Sequence, residues 1–322
     1  MSLSLTDKAG RVVSSRIVAA LIGMVGSFIL FATYLVIPPV GIVSGVLTPF
    51  PIAFVRFRHG RWISVICILG GTAAMASVFG LTAGAFYLGQ CGLVALLMPE
   101  LLLRGVGGAR SIVWTTAANM ALLTSAVVFF SMTSGQDIHQ LIVAEIQKSV
   151  AQAVAIYEKS GVKGDELLVL KQTMATAADL VIKIYPALMT VMLIVMAGCN
   201  LALLKRCSFF REKSLNAGEF RDFRNPDILV WLLIAAGFSM LAGNNIITIP
   251  ALNILTIVIL LYFLQGMAVL FTVIARQSIA TVLRVGLYIL LVLQPYLAAL
   301  VAAIGIFDLW GDFRTPRKQE NL

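Results

Sequence analysis

The sequence predicts an all-α protein: a polytopic transmembrane helical bundle of about nine spans, or eight if one weak segment does not cross. Hydrophobic residues make up 60% of the 322 residues and charged residues only 12%. Apolar runs also recur along the chain, and about 20 helical residues are enough to cross a hydrocarbon core of about 30 Å. The clearest runs cover residues 17–37, 112–132, 185–204, 254–275 and 285–306.

The first span is expected to stay in the mature protein. The run 17–37 is longer than the apolar region of an ordinary signal peptide, and no small-x-small cleavage site precedes the next apolar run. Small residues recur every fourth position on this helix, which lets helix backbones approach closely. This stripe packs either against the protein's own helices or against another membrane protein. Its members are Ser15, Ala19, Gly23 and Ser27.

The next four predicted spans lie between residues 40 and 132. Span two covers residues 40–55, spans three and four share the glycine-rich stretch 62–103, and span five covers 112–132. At the end of span four, Glu100 precedes Arg104 by four residues. That is the favourable order for an ion pair on a helix, so we expect the two side chains to pair.

The segment 133–183 is predicted to form an amphipathic helical hairpin outside the cytoplasm. It contains no Arg, and its Lys residues are balanced by acidic residues. Apolar residues recur every four positions in its first half, as on one face of a helix. A turn with two glycines follows at 160–164, and a second helix then runs into span six, which ends at residue 204. The recurring apolar residues are Ile138, Ile142, Ile146, Val150 and Val154.

The C-terminal part is predicted to hold a basic cytoplasmic loop and three more spans. The loop covers 205–226, and the spans cover 227–242, 249–275 and 285–306. The predicted domains are therefore 1–204, with the insertion 133–183, then the loop, then 227–322. Nine spans would place the basic C-terminal tail outside, against the positive-inside rule.

The position of the basic residues predicts the orientation. Lys and Arg cluster in short gaps between apolar runs, and the positive-inside rule assigns these gaps to the cytoplasm. The net charge of +9 is therefore explained by topology, and nucleic acid is not an expected partner. We expect a multi-pass protein of the bacterial cytoplasmic (inner) membrane with a cytoplasmic N-terminus. The clusters are Lys8, Arg11, Arg16; Arg56, Arg58, Arg61; Arg104, Arg110; Lys205, Arg206, Arg211, Lys213, Arg221, Arg224; Arg276 and Arg284.

Polar residues inside the predicted spans are the candidates for function. No charged residue lies near the centre of a span, which disfavours a proton or sodium relay. Amides remain, and they either bond neighbouring helices or contact a ligand. If a solute binds, we expect Gln90, Asn119 and Asn200 to contact it, in a pocket walled by spans four to six and open to the outside.

Neither catalysis nor metal binding is predicted. The sequence has no HExxH, GxSxG or Walker lysine motif, and no paired carboxylates lie within the apolar runs. Its four cysteines have no CxxC spacing, and its two histidines are far apart. We therefore expect no enzyme activity and no cofactor. Uphill transport would need a gradient or a separate ATPase subunit.

Three short motifs carry a resemblance that covers nearly the whole chain. They lie after span two, in span eight and at the C-terminal end of span nine. On these motifs the chain resembles the YybS-like bacterial integral membrane proteins, a family of unknown function. The motif residues are Arg58, His59, Gly60; Gln265, Gly266; Asp308, Trp310, Asp312 and Arg314.

That family is similar in turn to the S-components of energy-coupling-factor transporters. S-components capture vitamins and dock on a separate ATPase module. The resemblance implies a six-helix plan for the first six spans, with the stripe Ala19, Gly23, Ser27 as a docking face. The long segment between spans five and six and the three later spans depart from that plan, and no vitamin is indicated.

Two functions follow as hypotheses. The first is a solute-binding membrane subunit of a transporter, for a small uncharged solute. The second is a non-transporting membrane scaffold or regulator, which binds partners through the external hairpin and the basic loop. Beyond the lipid bilayer, a separate membrane or ATPase subunit is the expected partner of the first.

Overall fold

The structure is a computed structural model that describes residues 5–213, 215–276, 281–311 and 313–314. These residues are helical with short connections, and they contain no strand. The protein is thus an all-α polytopic helical bundle, as predicted. The chain forms two compact units, and each is described by itself.

The first unit comprises the chain up to Met132 together with Met192–Gly218. Its helices are long and apolar, with short turns between them. A π-helical turn, Leu88–Gly92, joins two helices of one span. The helices are α1 (Leu5–Val36), α2 (Pro38–Leu47), α3 (Phe50–His59), α4 (Arg61–Phe79), α5 (Leu81–Tyr87), α6 (Leu93–Leu103), α7 (Gly108–Ser134), the end of α9 (Asp165–Leu204) and α10 (Ser208–Glu212).

The second unit comprises Thr133–Val191 and Glu219–Leu322. The helix α9 therefore contributes its first part to this unit and its last part to the other. Short 3₁₀ turns at Phe220–Asp222 and Met240–Ala242 flank the next helix. The remaining helices are α8 (Ile138–Lys159), α11 (Ile228–Ser239), α12 (Asn245–Ala275), α13 (Thr281–Leu293) and α14 (Pro295–Gly311).

Seven helical segments of the described residues are long and apolar enough to cross a membrane. Two further helical segments, Val282–Leu291 and Pro295–Gly311, meet at 94° and form an eighth span if they cross together. The seven are Ser14–Val36, Val40–His59, Arg61–Phe79, Leu81–Leu103, Gly108–Ser134, Asp165–Leu204 and Asn245–Ala275.

By length and composition, the described residues contain seven candidate spans, or eight if the bent pair crosses as one span, where nine are predicted. The predicted span 227–242 corresponds to the short apolar segment Ile228–Ala242. Fifteen residues rise about 22 Å, which is less than a hydrocarbon core of about 30 Å. The predicted run 285–306 is not one straight helix, because Gln294 separates α13 from α14.

Large apolar side chains cover much of the outside of the helices. Ile22 is 67% exposed on α1, Trp62 is 70% exposed on α4 and Phe129 is 70% exposed on α7. A soluble protein does not leave contiguous apolar patches of this kind uncovered. Together with the helix lengths, these surfaces identify a multi-pass membrane protein.

The hairpin has the local structure that the apolar spacing predicts. Helix α8 begins after Asp137, whose side chain accepts a hydrogen bond from the His139 backbone N–H. Glu158 and Lys171 form an ion pair at 3.0 Å near the turn, and His139 stacks on Tyr185 at the other end. All five residues of the predicted apolar stripe are half-buried, and none is fully buried.

The compact units divide the chain differently from the predicted domains 1–204, 205–226 and 227–322. The hairpin groups with the C-terminal helices, not with the first six spans. The Asn253 side chain explains part of this grouping. It donates to the Lys183 carbonyl at 2.7 Å and accepts from the Ala187 backbone N–H at 2.9 Å, which fixes α12 to α9.

Candidate functional site

Helix α7 of the first unit is the clearest candidate for a functional surface. Many of its apolar side chains face outward, with Val113 and Trp114 both 61% exposed. Its fully buried residues are small or polar and recur at helical spacing, beside half-buried apolar residues that pack on the core. Polar side chains inside a membrane bundle are expensive and mark functional positions. The buried face contains Gly108, Ser111, Thr115, Thr116 and Asn119.

Three oxygens on this face have no hydrogen-bond partner among the described residues. They are Thr115 Oγ1, Thr116 Oγ1 and Asn119 Oδ1, in side chains of residues that are 0%, 6% and 0% exposed. A buried polar group without a partner costs about 1–3 kcal/mol. The three oxygens of this face can therefore accept hydrogen bonds that no described residue donates.

The π-helical turn lies against this face. The Asn119 side-chain amide donates to the Gln90 carbonyl at 3.5 Å, the outer limit for such a bond. The Gln90 side-chain amide points to Met192 Sδ at 3.3 Å, and a thioether is a weak acceptor. Single π-turns inside α-helices occur frequently at functional sites. The structure thus brings Gln90 and Asn119 together.

Asn200 has a different environment from these two residues. Its side-chain amide donates to the Met196 carbonyl at 2.7 Å and to the Val46 carbonyl at 2.8 Å. Its Oδ1 is buried without a partner in the described residues. Asn200 thus joins α9 to α2 and shows no contact with Gln90 or Asn119 among the described hydrogen bonds.

The small-residue stripe of α1 lies partly against the chain's own helices. Ser27 is buried; its hydroxyl donates to the Thr48 carbonyl at 2.9 Å and lies 2.8 Å from the Tyr87 hydroxyl. A Cβ added at Gly23 would lie 2.7 Å from Val55 Cγ2. The stripe does not continue as one buried seam, because Ser15 is exposed and Ala19 is half-buried.

The first family motif ends α3. Gly60 has a φ of +93° and separates α3 from α4, a conformation that favours glycine. Arg58 lies 5.8 Å from the Phe54 ring centroid, and His59 Nδ1 is buried with no partner in the described part of the chain. This motif therefore forms a turn between two spans.

Near this turn, the predicted pair of Glu100 with Arg104 is confirmed at 3.1 Å. Glu100 also pairs with Arg56, a contact that the sequence spacing does not predict. The carboxylate thus lies between two guanidinium groups of the first unit.

The other two family motifs meet in a buried polar cluster of the second unit. Asp308 is 2% exposed, and its Oδ2 accepts from Gln265 Nε2 at 3.0 Å and from Arg314 Nη2 at 2.9 Å. Gln265 Oε1 accepts in turn from the Asn225 backbone N–H at 3.0 Å. Asp308 Oδ1 and the Tyr262 hydroxyl are buried, and no described residue bonds either of them.

Two glycines allow α12 and α14 to touch beside this cluster. A Cβ at Gly266 would clash with the Val301 carbonyl, and one at Gly305 would clash with the Tyr262 carbonyl. Trp310 is 68% exposed, and Asp312 lies outside the described residues. Asp308 lies two residues beyond the predicted span 285–306, so the sequence does not predict its burial.

Metal binding has no candidate in the described ranges, where no group of three His, Cys, Asp or Glu side chains could hold an ion. Cys67, Cys91, Cys199 and Cys207 are all free thiols.

The helical fold and the exposed apolar side chains identify a polytopic α-helical membrane protein. Its buried side chains include polar ones. A family model described as "Predicted membrane protein (DUF2232)" matches residues 25–309. The chain belongs to this family. The match is consistent with the resemblance to the YybS-like membrane proteins, whereas the similarity to S-components stays a prediction. No curated protein and no solved structure matches the chain.

Proposed function

We propose that the protein is a solute-binding membrane subunit of a transporter, for a small uncharged solute. The buried polar face of α7 carries this proposal. Its unpartnered oxygens on Thr115, Thr116 and Asn119 share one side of a helix inside the first unit. A solute with hydroxyl or amide donors would satisfy these oxygens and recover the free energy that their burial costs.

The chemistry of the face selects the class of solute. Hydroxyls and amides bind neutral polar groups well, whereas a charged solute inside a membrane bundle needs an opposite charge. Neither the α7 face nor Gln90 supplies one. The solute is therefore uncharged and polar.

In this proposal, a solute reaches the α7 face through the π-helical turn. A π-turn carries one more residue than an α-helical turn and is frequent at functional sites. Gln90 lies in this turn, and its side-chain amide makes a weak contact with Met192 Sδ. Opening at Leu88–Gly92 would expose Asn119 without unfolding a whole span.

In this proposal, a separate subunit or a gradient supplies the energy for transport. The sequence contains no Walker lysine motif, so the protein depends on a separate ATPase or membrane subunit, or on a gradient. The inner membrane and a cytoplasmic N-terminus belong to the same proposal, since both follow from the positive-inside rule.

Native mass spectrometry of the protein released from detergent tests the proposal. We expect a retained molecule of low mass that is not a lipid. The Asn119→Leu variant should lose it, and the Asn253→Leu variant in the second unit should keep it. Absence of any retained or rebinding solute from the wild-type protein, across extracts of the native cell, would refute the proposal.

A second candidate is a membrane scaffold that binds a partner through the hairpin of α8 and the first part of α9. Leu168 and Val169 are 60% and 62% exposed there, and Ile156 is 64% exposed. Such apolar side chains favour a covering partner. Cross-linking in native membranes distinguishes the two functions: a scaffold captures one protein through this hairpin, and Leu168→Glu abolishes the capture.

A further inference from the structure

The second unit contains an open groove of about 790 Å³. One wall is the part of α9 that precedes its long apolar run, and the other wall is the first two turns of α12. Residues of α9 face the groove at intervals of three and four, as expected for one side of a helix. The lining from α9 includes Gln172, Thr173, Thr176, Ala177, Asp179, Leu180 and Lys183.

One end of the groove is held by an unusual contact at Pro186. Proline lacks a backbone N–H, so a helix is weakened where it occurs. In an undistorted helix the Ala187 N–H would bond the Lys183 carbonyl. Here the Asn253 amide bonds both groups, at 2.9 and 2.7 Å. These two hydrogen bonds of Asn253 fix the backbone of Lys183 beside the groove.

On both walls, the groove lies at the boundary between a polar stretch and an apolar stretch of the chain. Lys183 is followed by the apolar run 185–204, and Asn245 is followed by the apolar first turns of α12. Basic and polar side chains at such positions occupy the level of lipid headgroups. Ile249 and Leu252 extend the lining with apolar surface.

The charges of the groove are one anion and one cation. Asp179 and Lys183 pair at 2.7 Å, and both line the groove. A ligand with an ammonium and a phosphate could bind both and replace one ion pair by two. The Thr176 hydroxyl donates to the Gln172 carbonyl and keeps acceptor capacity toward the groove.

We propose that this groove binds the headgroup of a zwitterionic phospholipid with a primary ammonium, of the phosphatidylethanolamine type. The ammonium donates to Asp179 and Thr176, and the phosphate accepts from Lys183. The first part of an acyl chain lies along Leu180, Ile249 and Leu252. A choline headgroup has no N–H to donate, and a glycerol headgroup has no cation, so both bind less well.

Titration of the delipidated protein in detergent, read by native mass spectrometry, tests this site. The probes are dioctanoyl forms of phosphatidylethanolamine, phosphatidylcholine and phosphatidylglycerol. The loss of a charge-assisted hydrogen bond predicts affinities about tenfold lower for the second and third lipids. Free phosphoethanolamine, which has no chains, should also bind at least about tenfold more weakly, because it buries no apolar surface.

Matched variants locate the binding. Ala177→Trp places a large side chain in the groove and should abolish the preference for the ethanolamine lipid. Ala175 lies on the same helix but is not among the lining residues, so Ala175→Trp should preserve the preference. Asp179→Asn should make the ethanolamine and choline lipids bind equally. If Ala177→Trp does not fold, Thr248→Trp fills the groove from the opposite wall.

Three results would overturn the proposal: equal affinity of the wild-type protein for the three lipids, an unchanged preference in the variant with the filled groove, or binding of phosphoethanolamine as tight as that of the lipid. None of them depends on whether a solute binds at the α7 face of the first unit.

Discussion

Single residues of the second unit show how a charge is held inside an apolar bundle. The Asp308 carboxylate is buried and receives hydrogen bonds from Gln265 and Arg314. Arg314 also donates to the backbone carbonyls of Arg221 and Phe223. The cluster therefore connects the segment before α11 to the end of α14 through one carboxylate.

Removal of this charge should destabilise the protein. We predict that Asp308→Asn lowers the free energy of unfolding by about 1–3 kcal/mol, since the half-buried Arg314 then loses its anion. Chemical unfolding in detergent measures the change. The exposed pair of Glu158 with Lys171 is the control, and Glu158→Gln should cost less than about 1 kcal/mol.

A double-mutant cycle checks the physical reason. Asp308→Asn combined with Arg314→Gln should be less destabilising than the sum of the two single changes, because the second change removes the orphaned cation. Strictly additive effects would mean that the two side chains do not stabilise each other.

The burial of Asp308 could not be read from the sequence. A carboxylate directly after an apolar run is normally the end of a span, and span nine was predicted to stop at residue 306. The partners Gln265 and Arg314 are visible as motif residues, but no periodicity relates positions so far apart in the chain. Gln90 and Asn119 were identifiable because amides inside apolar runs are rare.

Among the elements, α1 shows what a small residue contributes to packing. Gly23 faces Val55 of α3 and Cys67 of α4, at 2.7 and 3.7 Å from an added Cβ. The Cys67 thiol also lies 3.4 Å from the Ala20 carbonyl of α1. The three helices are therefore close together around this glycine.

Substitution of this glycine should separate the helices. We predict that Gly23→Leu costs about 1–3 kcal/mol of stability in the isolated protein, as overpacking typically does. Gly198→Leu is the control, because nothing lies within 4 Å of an added Cβ there. Thermal unfolding of both variants in detergent is the measurement. Unchanged stability of Gly23→Leu, with loss of a co-purifying partner, would instead identify a docking face.

The helices themselves were largely predictable, and their interruptions were not. Apolar runs of sufficient length identify α1, α7 and α12, since only a helix satisfies its own backbone in lipid. The π-turn at Leu88–Gly92 has no sequence signature beyond its glycines. The break at Gln294 could be suspected from Pro295 alone, but its angle depends on how α13 and α14 pack.

For the whole molecule, the number of crossings decides the topology. Eight crossings place both termini on the same side of the membrane, and nine place them on opposite sides. The basic residues of the C-terminal tail favour the first arrangement under the positive-inside rule.

Cysteine labelling in a background without native cysteines tests this topology. We predict that Lys163→Cys reacts with a membrane-impermeant thiol reagent in intact cells, once the reagent has access across any outer membrane. Arg206→Cys and Lys318→Cys should react only after the inner membrane is permeabilised. Labelling of Lys318→Cys in intact cells would indicate an odd number of crossings, and labelling of Arg206→Cys would reverse the orientation.

The groove of the second unit could not be predicted from the sequence, because its walls come from distant parts of the chain. Its walls lie about 70 residues apart in the chain, as the contact of Asn253 with Lys183 shows. Asn253 is a polar residue in an apolar run, but it donates to a backbone carbonyl, which no side-chain pattern reveals.

In the proposed function, the α7 face holds a solute and does not only contact neighbouring helices. This is tested by comparing the unfolding temperatures of the wild-type protein and Thr115→Val, each as purified and after solute depletion. Valine has nearly the shape of threonine and removes one unpartnered hydroxyl. Thr256→Val is the control, because that hydroxyl bonds the Leu252 carbonyl of its own helix.

We predict that depletion lowers the unfolding temperature of the wild-type protein and leaves that of Thr115→Val nearly unchanged. After depletion, the variant should be at least as stable as the wild type, since it has lost an unsatisfied buried group. A depleted Thr115→Val protein that is clearly less stable than the depleted wild type would show that the hydroxyl already has a partner within the protein. That result would contradict the account.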